Sequence, residues 1–184
     1  MALGATIHKV QLHIADTDRQ YYASHALTLA RHPSETTKRL MVRLMAFSLH
    51  AHEGLTFTKG IADSDEPDLW LKDLTGAIDL WIEVGQPSLA RLLKACGRAK
   101  QVVVYCYGGQ ASQVWWEALR DGVQRTRNLT VISVPPEAIE SLAAEVQRNM
   151  TLHVNIQEQD LLVSGQAAVV TVSPVLWLDA NQAL

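Results

Sequence analysis

Glu66-Pro67-Asp68 and Asp79-Leu80-Trp81-Ile82-Glu83-Val84-Gly85-Gln86-Pro87 are the stretches whose reading decides the fold. In the second, Leu80, Ile82 and Val84 alternate with Asp79, Trp81 and Glu83, which is the period of a strand with two different faces. Gly85-Gln86-Pro87 stops that strand. In the first, Asp68 follows a proline at the head of a short extended piece, Asp68-Leu69-Trp70-Leu71. Two carboxylates on adjacent β-elements are a common way to hold a divalent cation beside a phosphodiester. A hard cation takes oxygen ligands and needs only one or two carboxylates.

Outward from this pair, the chain alternates between periods. Toward the N-terminus, residues 5–14 and 21–31 are two extended runs around Asp16-Thr17-Asp18-Arg19, expected as a β-hairpin. His32-Pro33-Ser34 closes it. Ser34 is the expected N-cap of a helix reaching about His52, with Glu35 in its first turn, where the macrodipole favours a carboxylate. Leu40, Leu44 and Phe47 form its apolar stripe. Residues 53–76 read as irregular with short extended pieces. Beyond Pro87, Ser88 caps a helix to about Ala99. Val102-Val103-Val104-Tyr105 suits a strand buried on both faces. Gly108-Gly109 turns the chain into a helix over 111–122, and residues 129–134 are another buried strand. Pro135-Pro136 opens a helix over 137–148. Residues 151–157 and 161–173 form a C-terminal strand pair. The expected class is α/β or α+β, a mixed sheet flanked by helices, in one domain over 1–178 with a tail at 179–184.

Composition sets the outer bounds. The 184 residues are 48% hydrophobic and 19% charged, enough apolar material for one sizeable core. A net charge of −3 argues against coating nucleic acid by bulk electrostatics. Cys96 and Cys106 make no CxxC pair and sit among apolar neighbours, so reduced buried thiols and a cytoplasmic location are expected. No run of about 18 apolar residues exists, and no membrane partner is expected. Met1-Ala2-Leu3-Gly4-Ala5 lacks a charged segment ahead of an apolar one, so no secretory leader is expected.

The net charge hides an asymmetry. Residues 53–83 carry eight acids, Asp63 and Asp65 among them, and net −6, while residues 88–127 net +5. Acids that hold a cation beside bases that hold phosphates suit a metal-dependent phosphodiesterase. Arg91, Lys94 and Arg98 are spaced i, i+3, i+7 and share one helix face, as a phosphate-contacting face or as an ordinary solvated one. Other candidates are weaker. His50 and His52, two apart on a helix, point to different faces. Gly108-Gly109 lacks the Lys-Ser/Thr of a phosphate loop. Trp115-Trp116 brings a ring near the surface, for packing or for stacking a base. No GxSxG hydrolase motif is present.

Four runs carry a resemblance. They are Tyr21-Tyr22-Ala23-Ser24-His25-Ala26-Leu27-Thr28-Leu29-Ala30-Arg31-His32-Pro33-Ser34-Glu35, Asp65-Glu66-Pro67-Asp68-Leu69-Trp70, Trp81-Ile82-Glu83-Val84-Gly85-Gln86-Pro87, and Lys94 through Tyr105. Over nearly its whole length the chain resembles the YaeQ family, which is similar to the PD-(D/E)XK, or restriction-endonuclease-like, nucleases. The resemblance implies a mixed sheet flanked by helices with a site where two central strands diverge. It makes Pro67-Asp68 the "PD" element and Glu83 the "D/E", with Glu35 a helical acid that joins them as a third ligand of Mg²⁺ or Mn²⁺. The lysine of the motif falls on Gly85. Gln86 comes one residue late, and Lys94 or Lys100 would have to return an amine to the site.

The expectation is a nuclease-like protein with a divalent-metal phosphodiesterase site at Asp68 and Glu83, acting on or binding nucleic acid. Lys94 and Lys100 are candidate amines, Gln86 a water-orienting amide, and Arg91, Lys94 and Arg98 phosphate contacts. The alternative is a non-catalytic module that keeps the fold and engages a protein or a nucleic acid. The missing lysine favours the alternative; the acids beside a basic helix favour the enzyme.

Overall fold

A computed structural model describes residues 4–60 and 65–180. Asp63 and residues 181–184 of the expected tail lie outside the described residues. In chain order the elements are β1 (Thr6–Asp16), β2 (Tyr21–Arg31), α1 (Thr37–His50), β3 (Thr56–Phe57), β4 (Leu69–Lys72), β5 (Ile78–Val84) and α2 (Leu89–Cys96). There follow β6 (Ala99–Tyr107), α3 (Gln110–Val123), β7 (Leu129–Val134), α4 (Pro136–Ala143), β8 (Asn149–Gln157), β9 (Asp160–Ser164), β10 (Val169–Val172) and β11 (Val175–Leu178). The class is α+β, with two mixed sheets where the sequence suggested one. The chain divides into two compact units, Met1–Leu49 with Glu137–Pro174, and His50–Pro136 with Val175–Leu184.

The first unit is built on a sheet of order β10-β9-β8-β1-β2. β1 and β2 form the expected hairpin, Thr6 opposite Arg31 and Asp16 opposite Tyr21. Asp16 closes its turn, accepting from the Arg19 amide at 3.0 Å and the Arg19 Nε at 2.6 Å. β8 then lies parallel to β1, Lys9 opposite Asn149, so the C-terminal strands complete the sheet that the hairpin begins. The expected C-terminal pair is three strands, because residues 161–173 are broken by a turn. Gly165 donates to the Ala168 carbonyl there, and the buried Glu145 carboxylate accepts from the Gln166 and Ala167 amides.

Inside this unit, Leu12, Met41, Leu44, Leu142, Leu152 and Val163 close around a void of about 10 Å³, which packs α1 and α4 on one sheet face. α1 starts later than its sequence suggested. Thr36, not Ser34, caps it: its hydroxyl accepts from the Arg39 amide and its carbonyl from the Leu40 amide. Ser34 pairs with the His32 ring at 2.7 Å, and Glu35 precedes the helix, its amide donating to the His32 carbonyl. Leu40 through Ser48 are buried without interruption, so α1 is enclosed all round and carries no single stripe. α4 ends at Ala143, five residues before the expected stop at 148, because the chain must turn into β8.

The second unit is built on a sheet of order β11-β7-β6-β5-β4-β3. β5, β6 and β7 run parallel at its centre, joined through α2 and α3, as continuous apolar strands favour. β4 and then β3 on one side and β11 on the other add antiparallel strands, and β11 is a strand that the sequence did not suggest. Trp81, Leu92, Val102, Val104, Leu119 and Val131 belong to one buried cluster. Ser88 caps α2 as expected, its hydroxyl accepting from the Arg91 amide. Among the described residues no helix is long and apolar enough to cross a membrane.

Candidate functional site

Asp68 and Glu83 meet across β4 and β5. The antiparallel register puts Leu69 opposite Ile82, and the Asp68 amide donates to the Ile82 carbonyl at 2.9 Å. Asp68, one residue before β4, therefore lies at the carboxyl end of β5, near enough to Glu83 for its charge to act on it. Its side chain extends the ladder: Oδ2 accepts from the Val84 amide at 2.8 Å. Asp68 is 1% exposed and Glu83 4%, so neither is an ordinary surface acid. The pair lies at the carboxyl end of β5, the end where open parallel sheets place their ligands.

Two buried acids this close repel, and the Asp68 charge disfavours ionisation of Glu83. The offsetting charge comes from α2. The Arg91 Nε donates to Glu83 Oε1 at 2.8 Å, and its Nη2 donates to the Glu66 carbonyl at 2.6 Å. Trp81, on the same strand face, donates its indole N–H to the same Oε1 at 2.7 Å. Burial still raises the Glu83 carboxyl above its ordinary range and the Asp68 charge adds to that, while the Trp81 and Arg91 contacts pull the other way. The local sequence explains Arg91: Ser88 caps α2, and the third residue after it falls in the first turn.

The other expected site residues are dispersed. Lys94 pairs with Asp65 at 2.5 Å, both groups well exposed. Arg98 donates to the Asp65 carbonyl at 3.1 Å and lies 5.1 Å from the Trp81 ring centroid. Lys100 binds Asp79 at 2.5 Å. The parallel register sets Glu83 opposite Val104. Lys100, four residues before Val104, is therefore roughly 13 Å down the sheet at ~3.3 Å per residue. Gln86 gives its amide to the Tyr107 carbonyl and the Ser112 hydroxyl, at 2.8 and 2.9 Å, and so braces the Gly108-Gly109 turn. Gly85, at the motif's lysine position, has φ +113. A side chain there is strained whatever its charge.

Glu35 belongs to the first unit. Its buried carboxylate accepts from Arg39 at 3.1 Å and from Arg43 at 3.1 and 3.2 Å. Among the described residues no group of three or more His, Cys, Asp or Glu side chains is arranged to hold a metal ion. At Asp68 and Glu83, a hard cation would have to displace the Arg91 guanidinium and the Trp81 N–H from Oε1. As arranged, these donors do not fit Mg²⁺ or Mn²⁺.

Sequence reasoning missed the inward turn of Arg91 and the part played by Trp81. The signal for Trp81 was available, since residues 81 and 83 share a strand face. Ser112, which anchors Gln86, had no signal. His50 pairs with the Tyr105 hydroxyl at 2.8 Å, and His52 accepts from the Gly54 amide, so the two histidines serve different contacts. Trp115 donates to the Pro87 carbonyl, and Trp116 stacks on Trp177.

These features define a class: an α+β protein with two mixed sheets and a buried acidic pair at the carboxyl end of a central strand. The model of the YaeQ protein family matches residues 1–174, and the chain belongs to that family. The YaeQ protein of Escherichia coli K12, named as uncharacterised, is 40% identical over 177 residues, spanning 96% of this chain and 98% of that protein. The YaeQ crystal structure from Xanthomonas axonopodis pv. citri is 47% identical with a TM-score of 0.91, covering 94% of this chain and 98% of that one. The Pseudomonas syringae YaeQ structure is 34% identical with a TM-score of 0.92, covering 95% and 97%.

Proposed function

We propose that this protein is a non-catalytic binding module on a nuclease-like core of the PD-(D/E)XK kind, and that its partner is a nucleic acid. One observation carries the reading: the cation beside the buried acids is part of the chain, the Arg91 guanidinium 2.8 Å from Glu83 Oε1. The Gly85 backbone disfavours a lysine at the motif position, and the Lys94 and Lys100 ammonium groups are engaged by Asp65 and Asp79. The nuclease-like reading is supported by the acid at the head of β4, the acid near the end of β5, and the parallel β5-β6-β7 centre.

The partner follows from α2. The Lys94–Asp65 pair is exposed and screened by water, so a phosphate can take over the ammonium. Arg98 lies past the Gly97 cap of α2 and not on the helix face that its spacing suggested, but it donates to the Asp65 carbonyl beside the Lys94–Asp65 pair, within a segment that nets +5. A metal-dependent phosphodiesterase is the second reading, favoured by the burial of Asp68 and Glu83 together at the carboxyl end of β5, and it requires Arg91 and the Trp81 N–H to leave Glu83 Oε1 when the metal binds.

The test joins two assays. Cleavage of single- and double-stranded DNA and RNA is measured with Mg²⁺ and with Mn²⁺ against an identically purified Asp68→Asn, Glu83→Gln double variant. Binding of labelled oligonucleotides is measured by anisotropy across a salt series, with and without Lys94→Ala and Arg98→Ala. The expected result is no cleavage above the double variant. Binding should weaken with salt, and losing two phosphate contacts should lower the log–log slope by about 2. Cleavage lost in the double variant would establish the phosphodiesterase instead. Absence of binding to every oligonucleotide would overturn the nucleic-acid partner and leave a protein one.

A further inference from the structure

The sheet of the first unit buries one face and exposes the other. Along β1 and β8, Leu12, Ile14, Leu152 and Val154 turn inward, which fixes His13 and His153 on the outer face. The parallel register sets these two histidines directly opposite one another. Their rings stack with centroids 4.7 Å apart and planes 20° apart. Ser24 stands opposite His13 on the next strand, its hydroxyl 2.7 Å from His13 Nδ1. An open groove of about 450 Å³ runs over the pair, lined also by Tyr22 and Asn155.

We infer that His13 and His153 form a binding site for one divalent transition-metal ion of the imidazole-preferring class, Zn²⁺, Ni²⁺ or Cu²⁺. Imidazole nitrogen suits these ions and not Mg²⁺ or Ca²⁺. A metal ligand histidine usually has its other ring nitrogen held by a hydrogen bond, which fixes ring and tautomer. Ser24 supplies that contact: when His13 Nδ1–H donates to the hydroxyl, the Nε2 lone pair is left for the metal. Bonds of ~2.0–2.1 Å from each ring nitrogen require the stacked rings to tilt toward one another. His153 is exposed and His13 half-buried, so both rings have room to do so. The nearest positions on this face, Gln11, Ala15, Thr151 and Asn155, are uncharged, so no cation opposes the ion. Water in the groove completes the coordination, which makes this a two-imidazole site with open positions.

The full-length protein is titrated calorimetrically with Zn²⁺, Ni²⁺ and Cu²⁺ in a non-chelating buffer. One ion is expected to bind, and His13→Asn or His153→Asn should each weaken it at least tenfold. His32→Asn and His52→Asn, at exposed histidines elsewhere, should leave it unchanged. These are surface substitutions, and circular dichroism checks that each variant is folded. Substoichiometric Cu²⁺ should broaden the imidazole proton resonances of His13 and His153 before those of other histidines. Failure of all three ions to bind, binding indifferent to both substitutions, or broadening that starts elsewhere would overturn the site.

Discussion

Burial raises the proton affinity of Glu83 even though Arg91 and the Trp81 N–H both contact its Oε1. The sign of the pH effect follows. A carboxyl that is harder to ionise in the folded state holds more protons there than in the unfolded chain, so stability falls as pH rises. The Glu83 contribution is fully present below its ordinary value of 4.5 and is lost as pH rises through the higher folded value. Urea unfolding of the wild type and of Glu83→Gln, at pH values on both sides of that window, should show the wild type losing ground to the variant as pH increases. A gap that is constant or moves the other way would refute the assignment. Asp68 and Glu83 were legible as a pair because a proline, an alternating strand and a glycine stop frame them. Arg91 was legible only as a member of a helix face. Periodicity says which residues share a face, not which of them turns inward to an acid.

At the scale of the element, β5 ends where Gly85 takes φ +113, a conformation that L side chains rarely adopt. No atom lies within 4 Å of where its Cβ would be, so the cost of a substitution is in the backbone. Both Gly85→Ala and Gly85→Lys should lower stability by ~1–3 kcal/mol, read from urea unfolding. A Gly85→Lys protein as stable as the wild type would refute the strain argument. The strongly patterned elements β1, β2 and β5 were legible from sequence, and so was the start of α2 at Ser88, but α2 stops at Cys96 rather than near Ala99, where β6 already begins. The ends of others were not legible either. Thr36 displaces Ser34 as the cap of α1 because the His32 ring takes the Ser34 hydroxyl. α4 stops early, and Glu145 leaves it to hold the turn between β9 and β10. Short edge strands such as β11 have too few residues to display a period.

For the molecule as a whole, the two cysteines report on packing. Both are free thiols, Cys106 fully buried and Cys96 partly so, and burial pushes both up to about 11. A disulfide exchange reagent at mildly alkaline pH should leave both largely unmodified in the native protein and titrate two thiols in denaturant. Rapid reaction of either in the native state would contradict that packing. The sequence suggested one mixed sheet followed by a terminal strand pair. Two sheets are observed because β8 joins β1, and pattern within a segment carries no information on which distant segment it pairs with. That union has a temporal side. Thr17 donates to the Ile156 carbonyl 139 positions later in the chain. At ~5–20 residues per second a ribosome needs roughly 7–28 s to cover that interval. Throughout that wait the β1-β2 hairpin has an open edge, an invitation to mispairing on the polysome, whereas β5, β6 and β7 meet their neighbours almost as soon as they are made.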